Sequence, residues 1–392
     1  MTALGPEMRE LARQASALLA WMCVELQRCS RQLGVEHVLF MTREGLLFAP
    51  YYERFWQGEQ AAKAELLNVS RLSTFAASLH GHGAQGLERL FSQYPQAGWR
   101  ELLASLGEPD GPPAVAAGGA ALGRAIAGDP RLSAWLEQIA AGRHQALAEY
   151  LQTRHAGALQ AGRLLVVDIG WRGTIQDNLA LAFPQLQWHG VYLGLHAFMN
   201  AQPPNAHKRG LLFDPSNGGA VEGDNLMPIE YLFHQAVGTV AGYRQGVPQT
   251  LAADERGDDF SGAFQAAVLD DAPLRFAQWS SRPGEATVTE WRREALEFWS
   301  GCQRMPPELF GALCRYSHEE TFGLGRVVNM AAAMSPRAAL RGLVSRPERA
   351  LFVQYVGSLP LAWRHERSLG LWLRGWLYVR HVWGWLRSSE RA

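Results

Sequence analysis

The sequence predicts an α/β protein whose mostly parallel sheet carries helices on both faces. Three observations support this. Short apolar runs of strand length recur at Glu36–Met41, Leu66–Val69, Leu164–Ile169, Gly190–Leu195 and Arg209–Phe213. Stretches with three- and four-residue apolar spacing lie between them, the alternation that parallel strands need. The first three runs end in polar turns that lead into helical segments, not into tight hairpins.

Taken in order, Met8, Leu11, Ala15, Leu18, Met22, Leu26, Cys29 and Leu33 line one side of a long amphipathic helix that stops at Gly34. The run EHVLFM reads as a buried strand, followed by the turn Thr42-Arg43-Glu44-Gly45 and a helix to about Trp56. Leu66–Val69 leads directly into Ser70-Arg71. From about 81 to 160 alanine, leucine and glutamine dominate, broken by GEPDGPPAVAAGG at 107–119. This predicts a helical insertion with a flexible neck. Beyond Tyr243 the pattern is helical again, after a polar loop at 246–261 that contains an acidic run. The expected organisation is a discontinuous core from 1–80 and 160–245, a helical cap over 81–159, and a helical C-terminal region over 246–392.

The 392-residue chain is 47% apolar, ample for a large core. Lysine plus arginine and aspartate plus glutamate balance at 37 each, so no global field favours nucleic acid. A charged fraction of only 19% with 14 tryptophans points to a partner- or membrane-facing surface, or to a large aromatic core. Cys23, Cys29, Cys302 and Cys314 contain no CxxC pair, which argues against a zinc knuckle or redox motif. Reduced thiols and an N-terminus without a signal pattern point to the cytoplasm. No window of eighteen uncharged apolar residues predicts a spanning helix. Near the C-terminus, Leu369, Trp372, Trp376, Val379, Trp383 and Leu386 follow helical spacing, with Arg367, Arg374 and His381 opposite. Residues 366–390 thus read either as a peripheral contact with the inner membrane face or as a helix packed on protein.

The chemistry centres on Leu164–Phe183, LLVVDIGWRGTIQDNLALAF, a strand feeding a glycine-bearing turn and then a helix. Free backbone N–H groups at such a junction favour an anion, most often phosphate. Gly170, Arg172, Gly173 and Thr174 are its candidate phosphate ligands. In a parallel sheet the turns at Thr42–Gly45 and Ser70-Arg71 open on the same edge. Arg43, Ser70 and Arg71 therefore join the phosphate set, with arginine suited to forked contacts. Asp168 and Glu44 are the candidate catalytic carboxylates and the candidate ligands for Mg²⁺. Thr42 and Gln176 are further candidates. Each has a plainer role open to it: Arg43 pairing with Asp168, Ser70 capping the next helix, Thr174 as an N-cap. His80 and His82 read as a surface turn, His318-Glu319-Glu320 as a solvated helix face, and Asp214 and Asp224 as loop-shaping residues.

The segments FMTREGLLFAPYYERF, NVSRLSTFAASL, VVDIGWRGTIQDNL and IEYLFHQAVGTVAGY together resemble a bacterial family. It is the haloacid dehalogenase-like region of surface-polysaccharide and O-antigen gene clusters, often fused or adjacent to glycosyltransferases. The resemblance spans roughly residues 35–245 and adds Glu230, which lies in its IEYLF segment, as a further candidate. It implies a Rossmann-like core with a cap insertion and a first strand ending in a DxDG-type motif, nucleophile first and general acid second. On this chain the motif falls on Thr42–Gly45, so Glu44 matches the acid and Thr42 stands where the nucleophilic aspartate belongs. A threonine hydroxyl without an adjacent base is a poor nucleophile. The resemblance implies a divergent phosphohydrolase or phosphotransferase of cell-surface polysaccharide biosynthesis. Its substrate would be a sugar phosphate, nucleotide sugar or lipid-linked phosphosugar, with Mg²⁺ as cofactor and a glycosyltransferase as partner. The alternatives are a catalytically inactive phospholigand-binding or scaffold module, and a glycosyltransferase. Against the last stands the single Rossmann-like half visible in the sequence.

Overall fold

The computed structural model describes residues 3–313 apart from 58, 60, 96, 109–110, 113–114, 116, 216–225 and 252–258, together with 317–319 and 327–329. Helix α1 (Pro6–Leu33) precedes β1 (His37–Met41), α2 (Gly45–Trp56), β2 (Lys63–Leu67) and the short α3 (Arg71–Phe75). Two 3₁₀ turns lead to α4 (Glu88–Gln93), α5 (Trp99–Leu106), α6 (Gly119–Gly128) and α7 (Pro130–Gln160). Next come β3 (Arg163–Asp168), α8 (Thr174–Ala182), β4 (Gln187–Tyr192), β5 (Ala206–Gly210) and α9 (Met227–Phe233). The hairpin β6 (Val240–Arg244) and β7 (Val247–Thr250) is followed by α10 (Asp259–Ser281), α11 (Glu285–Arg304) and α12 (Pro307–Leu313). The strand pair β8 (Ser317–Glu319) and β9 (Val327–Asn329) completes the described elements.

The protein is α/β with a Rossmann-like sheet. Its five strands run in the order β2-β1-β3-β4-β5, all parallel. The strand order reverses between β1 and β3, so the connections leave these neighbours in opposite directions and open a crevice at their carboxyl ends.

The near-continuous apolar runs of β1 and β3 follow from cover on both faces. Val38, Phe40, Leu165 and Val167 enter one core with α1, α2, α10 and α11. Leu39, Met41, Leu164 and Val166 enter a second core with α8 and the later part of α7. A period of two thus divides each strand between two cores. A third cluster, from Phe75 to Ala140, forms a core of its own within the inserted helices. From Leu147 onward, α7 turns its buried residues to the sheet.

Local signals set the boundaries of α1. Pro6 occupies its first turn, and Gly34 closes it in the left-handed region with φ 64°. Other elements depart from sequence expectation. Strand β5 is Ala206–Gly210, upstream of the apolar triplet Leu211–Phe213, which runs past the strand end into the first core. Strand β4 likewise starts earlier, at Gln187. The β6–β7 hairpin occupies part of what reads as loop and helix, because Gln245-Gly246 adopts the two positive φ angles of a tight turn. Ser317–Glu319 is a strand, not a helix face. Among the described residues no helix is long and apolar enough to cross a membrane. The tryptophan-rich segment 366–390, Cys314 and Asp224 lie outside the described residues.

Phe40 is fully buried, its ring centroid 5.6 Å from that of Tyr52. Truncating Phe40 to alanine is expected to cost about 3–5 kcal/mol, as a shifted midpoint in chemical denaturation.

Candidate functional site

The crevice is built from the residues just beyond β1, β2 and β3. Past β1, the Thr42 N–H donates to the Leu67 carbonyl at 3.1 Å and its hydroxyl to the Val69 carbonyl at 3.3 Å. Thr42 thereby extends the β1–β2 ladder and directs its hydroxyl away from nucleophilic work. Glu44 opens α2, and Gly45 follows where a Cβ would lie 2.9 Å from the Phe40 carbonyl oxygen. Only glycine lets the helix start that close to its strand. Past β2, the Ser70 hydroxyl caps α3 by accepting the Ser73 N–H at 3.0 Å, while donating to the Val240 carbonyl at 2.6 Å. Arg71 is the first residue of that helix.

Past β3 the chain turns through Ile169–Gly173. Asp168 accepts the Ile169 N–H at 2.8 Å. Gly170 has φ 135°, and a Cβ there would lie 2.2 Å from the Gly194 carbonyl oxygen. The peptides Thr42–Arg43 and Gly170–Trp171 are both cis. Trp171 stacks on Phe213 with ring centroids 5.7 Å apart and donates its indole N–H to Glu230 at 2.7 Å. That bond brings α9 to the crevice. Gly173, at φ 62°, holds the cap position of α8, so Thr174 is the first helical residue and not the N-cap expected from sequence. The glycine is required because the chain turns left-handed there, beside the Lys208 stem and the Tyr192 hydroxyl.

The electrostatics single out two carboxyls. Asp168 is 7% and Glu44 8% exposed. Burial, then repulsion from Glu44, pushes the Asp168 carboxyl up to about 8, against the pull of Arg71 and Arg43. Burial also raises Glu44, with Arg43 opposing and Glu230 adding repulsion. Three acidic groups and two guanidinium groups therefore act on one another at the carboxyl ends of neighbouring strands. The pair Asp168 and Glu44 titrates as a unit, with one proton held well above the ordinary carboxylate range.

An anionic pair whose members repel suits a hard divalent cation, which prefers carboxylate and water ligands. Among the described residues no group of three or more histidine, cysteine, aspartate or glutamate side chains could hold a metal ion. A Mg²⁺ on Asp168 and Glu44 would complete its shell with water and phosphate oxygens.

The structure thus assembles Arg43, Glu44, Arg71, Asp168 and Glu230. It gives other candidates structural work. Gln176 is fully buried, donating to the Trp188 and His207 carbonyls and accepting from the Tyr192 hydroxyl at 2.7 Å. It pins α8 to β4 and β5 and is not a phosphate ligand. The hydroxyls of Ser70 and Thr42 are committed as described. Arg172 is exposed and lies against Met199, its Nη1 2.7 Å from the sulfur. His80 bonds Glu137 at the surface. Asp214 is 4% exposed and accepts the Gly210 N–H at 2.9 Å, shaping its loop.

Sequence reasoning missed Lys208. Its ammonium lies 2.6 Å from the Asp177 carboxylate and donates to the Arg172 carbonyl at 3.1 Å, fastening the β3–α8 turn from β5. Nothing in the run AHKRG marks it, because a lysine on an edge strand usually faces water. Comparison of the chain with protein-family models gives no match, and comparison with curated proteins gives none.

With the Asp168 carboxyl pushed up to about 8 in the folded protein against about 4 in the unfolded chain, the native pair holds more protons between these values. The protein's stability should fall as pH rises through that window. Asp168→Asn removes the penalty. In EDTA the variant should match wild type near pH 4 and exceed it by a few kcal/mol at pH 9, since each tenfold difference in proton affinity is worth about 1.4 kcal/mol. Denaturation midpoints across that range measure the difference. A constant offset at all pH values would count against the buried-pair account.

Proposed function

We propose that the β1/β3 crevice binds a phosphate ester and that the protein is a divergent phosphohydrolase or phosphotransferase. The observation that carries the reading is the buried pair Asp168 and Glu44, flanked by Arg43 and Arg71, where the sheet order reverses. Arginine forks suit phosphoryl oxygens. A carboxyl that keeps its proton near neutrality suits a general acid for the leaving oxygen. In this scheme Asp168 donates to that oxygen while Glu44, relieved of its neighbour's charge, takes the proton of the attacking water. Arg43 and Arg71 hold the equatorial oxygens. Mg²⁺ on the same two carboxylates would be the alternative to this scheme: it would displace the Asp168 proton, make that residue a ligand instead of an acid, and neutralise phosphate charge itself. Thr42 forms no covalent intermediate in this scheme, consistent with its hydroxyl bonded to Val69.

The resemblance to the haloacid dehalogenase-like region of surface-polysaccharide gene clusters supplies the substrate class: a sugar phosphate, nucleotide sugar or lipid-linked phosphosugar. In the same proposal a glycosyltransferase is the partner, and the chain works in the cytoplasm, with residues 366–390 as a contact to the inner membrane face.

A second reading, a phospholigand-binding module without turnover, is favoured by one observation. Both hydroxyls at the strand ends, Thr42 and Ser70, are already spent on backbone carbonyls.

Phosphate release from a panel of sugar phosphates and nucleotide sugars, with and without Mg²⁺, separates the two. For an enzyme, Asp168→Asn should lower kcat by at least about 100-fold, the usual scale of acid–base catalysis. Arg71→Ala should mainly raise KM. Saturable ligand-induced stabilisation without turnover would select the binding module. Turnover unaffected by Asp168→Asn would overturn the role given to that carboxyl.

A further inference from the structure

A separate cavity of about 450 Å³ opens between β2, α7 and the β6–β7 hairpin, its lining including Lys63, Glu65, Asn68, Tyr150, Arg154 and His155. None of these residues belongs to the crevice at the strand ends. The volume falls in the range of small-molecule sites.

A chain of buried hydrogen bonds forms one wall. The Asn68 N–H donates to the Tyr150 hydroxyl at 2.7 Å, and that hydroxyl lies 3.1 Å from His155 Nε2. His155 Nδ1 is 2.8 Å from one Glu65 oxygen, and His37 Nδ1 is 2.8 Å from the other. Burial alone would raise Glu65, but the bonds from His155, Lys63 and His37 hold its carboxyl down to about 2. Glu65 is therefore an acceptor only, so both histidines donate to it through Nδ1. Neutral His155 then accepts at Nε2, and Tyr150 spends its proton there.

Burial holds His155 below the ordinary imidazole range despite the pull of Glu65, so the ring starts out neutral. Adding a proton to it changes the wall. Both ring nitrogens become donors, and Nε2–H now points at the phenol oxygen. Tyr150 accepts from Asn68 and from His155, and its own proton turns into the cavity. One donor and one positive charge appear together. Arg154, exposed at the rim, makes no hydrogen bond or ion pair among the described residues and adds a second cation. The charged and titratable groups around His155 are Glu65 and Lys63 on β2, His37 on β1, Tyr150 and Arg154 on α7, and Tyr243 on β6. Helix α7 leaves helical geometry at His155 itself, with φ −129° and ψ 26°. That break turns the ring toward Glu65.

We propose that this cavity is a second ligand site, taking a small oxyanion between Arg154 and the Tyr150 hydroxyl with uptake of one proton by His155. The wall reaches the crevice through one short stretch of chain. Tyr243 stacks on Tyr150 and donates to the Asn68 carbonyl at 2.8 Å, three residues before Arg71.

Sulfate and acetate, titrated separately at constant ionic strength and followed by thermal shift and calorimetry, test the proposal. At least one should bind saturably, with affinity at pH 6 at least about fivefold above that at pH 8. Arg154→Ala should weaken binding about tenfold or more. His155→Asn, whose amide can still donate to Glu65, should bind equally at both pH values. In Arg71→Ala, where any anion binding at the crevice is weakened, the pH-dependent component of binding should remain. Binding that survives Arg154→Ala but is lost in Arg71→Ala would assign the anion to the crevice and overturn the second site, leaving the crevice reading intact. Absence of saturable binding by either anion would overturn it as well.

Discussion

Cover on both faces of β1 and β3 is the constraint on which the rest depends. These strands are neighbours at the reversal in sheet order, and each divides its side chains between two cores. Anything placed at their carboxyl ends inherits that burial. Asp168 ends β3 and Glu44 stands at the start of α2, and both are buried there. In water two carboxylates at a few ångströms would feel about 1 kcal/mol of repulsion. In this environment the repulsion and the lost hydration together keep a proton on Asp168 near neutral pH.

Holding two like charges together requires turns that cannot relax, and the backbone supplies them. Gly45 allows α2 to begin against Phe40, and Gly170 allows the β3 loop to pass against Gly194. Gln176, on α8 itself, and Lys208, on β5, then tie α8 and the turn before it to β4 and β5. Their contribution is positional. A buried lysine paired with Asp177 contributes little net stability, because desolvation offsets most of the attraction. It does set where the Arg172 carbonyl, and hence the turn, can lie.

Much of this was legible in the sequence. The apolar runs and their polar endings located β1, β2 and β3, and Arg43, Glu44, Arg71 and Asp168 stand out by their places at the strand ends. Glu230 was legible only through a resemblance, since a lone glutamate in IEYLF carries no spacing signal; its bond to Trp171 is a tertiary fact. The departures share a cause. Thr174 and Gln176 are polar residues beside a glycine turn, and sequence cannot tell a ligand from a residue satisfying buried backbone. Gln176 lost that ambiguity when β4 and β5 brought two carbonyls and a phenol to it. Strand β5 escapes sequence reading because its residues alternate in exposure as an edge strand's do, while the apolar residues that follow pack into the core.

The committed hydroxyls of Thr42 and Ser70 narrow the chemistry open to the crevice. With both oxygens bonded to backbone carbonyls, the titratable groups acting on one another at these strand ends include the carboxyls of Asp168 and Glu44 and the guanidinium groups of Arg43 and Arg71. Guanidinium stays protonated throughout, so it can bind and orient but cannot transfer a proton. Proton movement then falls to Asp168 and Glu44, whose titrations are tied together by mutual repulsion. Binding a phosphate dianion beside them would raise both further, while Arg43 and Arg71 oppose that rise. The balance between two guanidinium groups and the acidic cluster thus decides whether a proton is available when the ester bond breaks. Glu230 enters that balance through Glu44, which makes its bond to the Trp171 indole a tuning element for the pair.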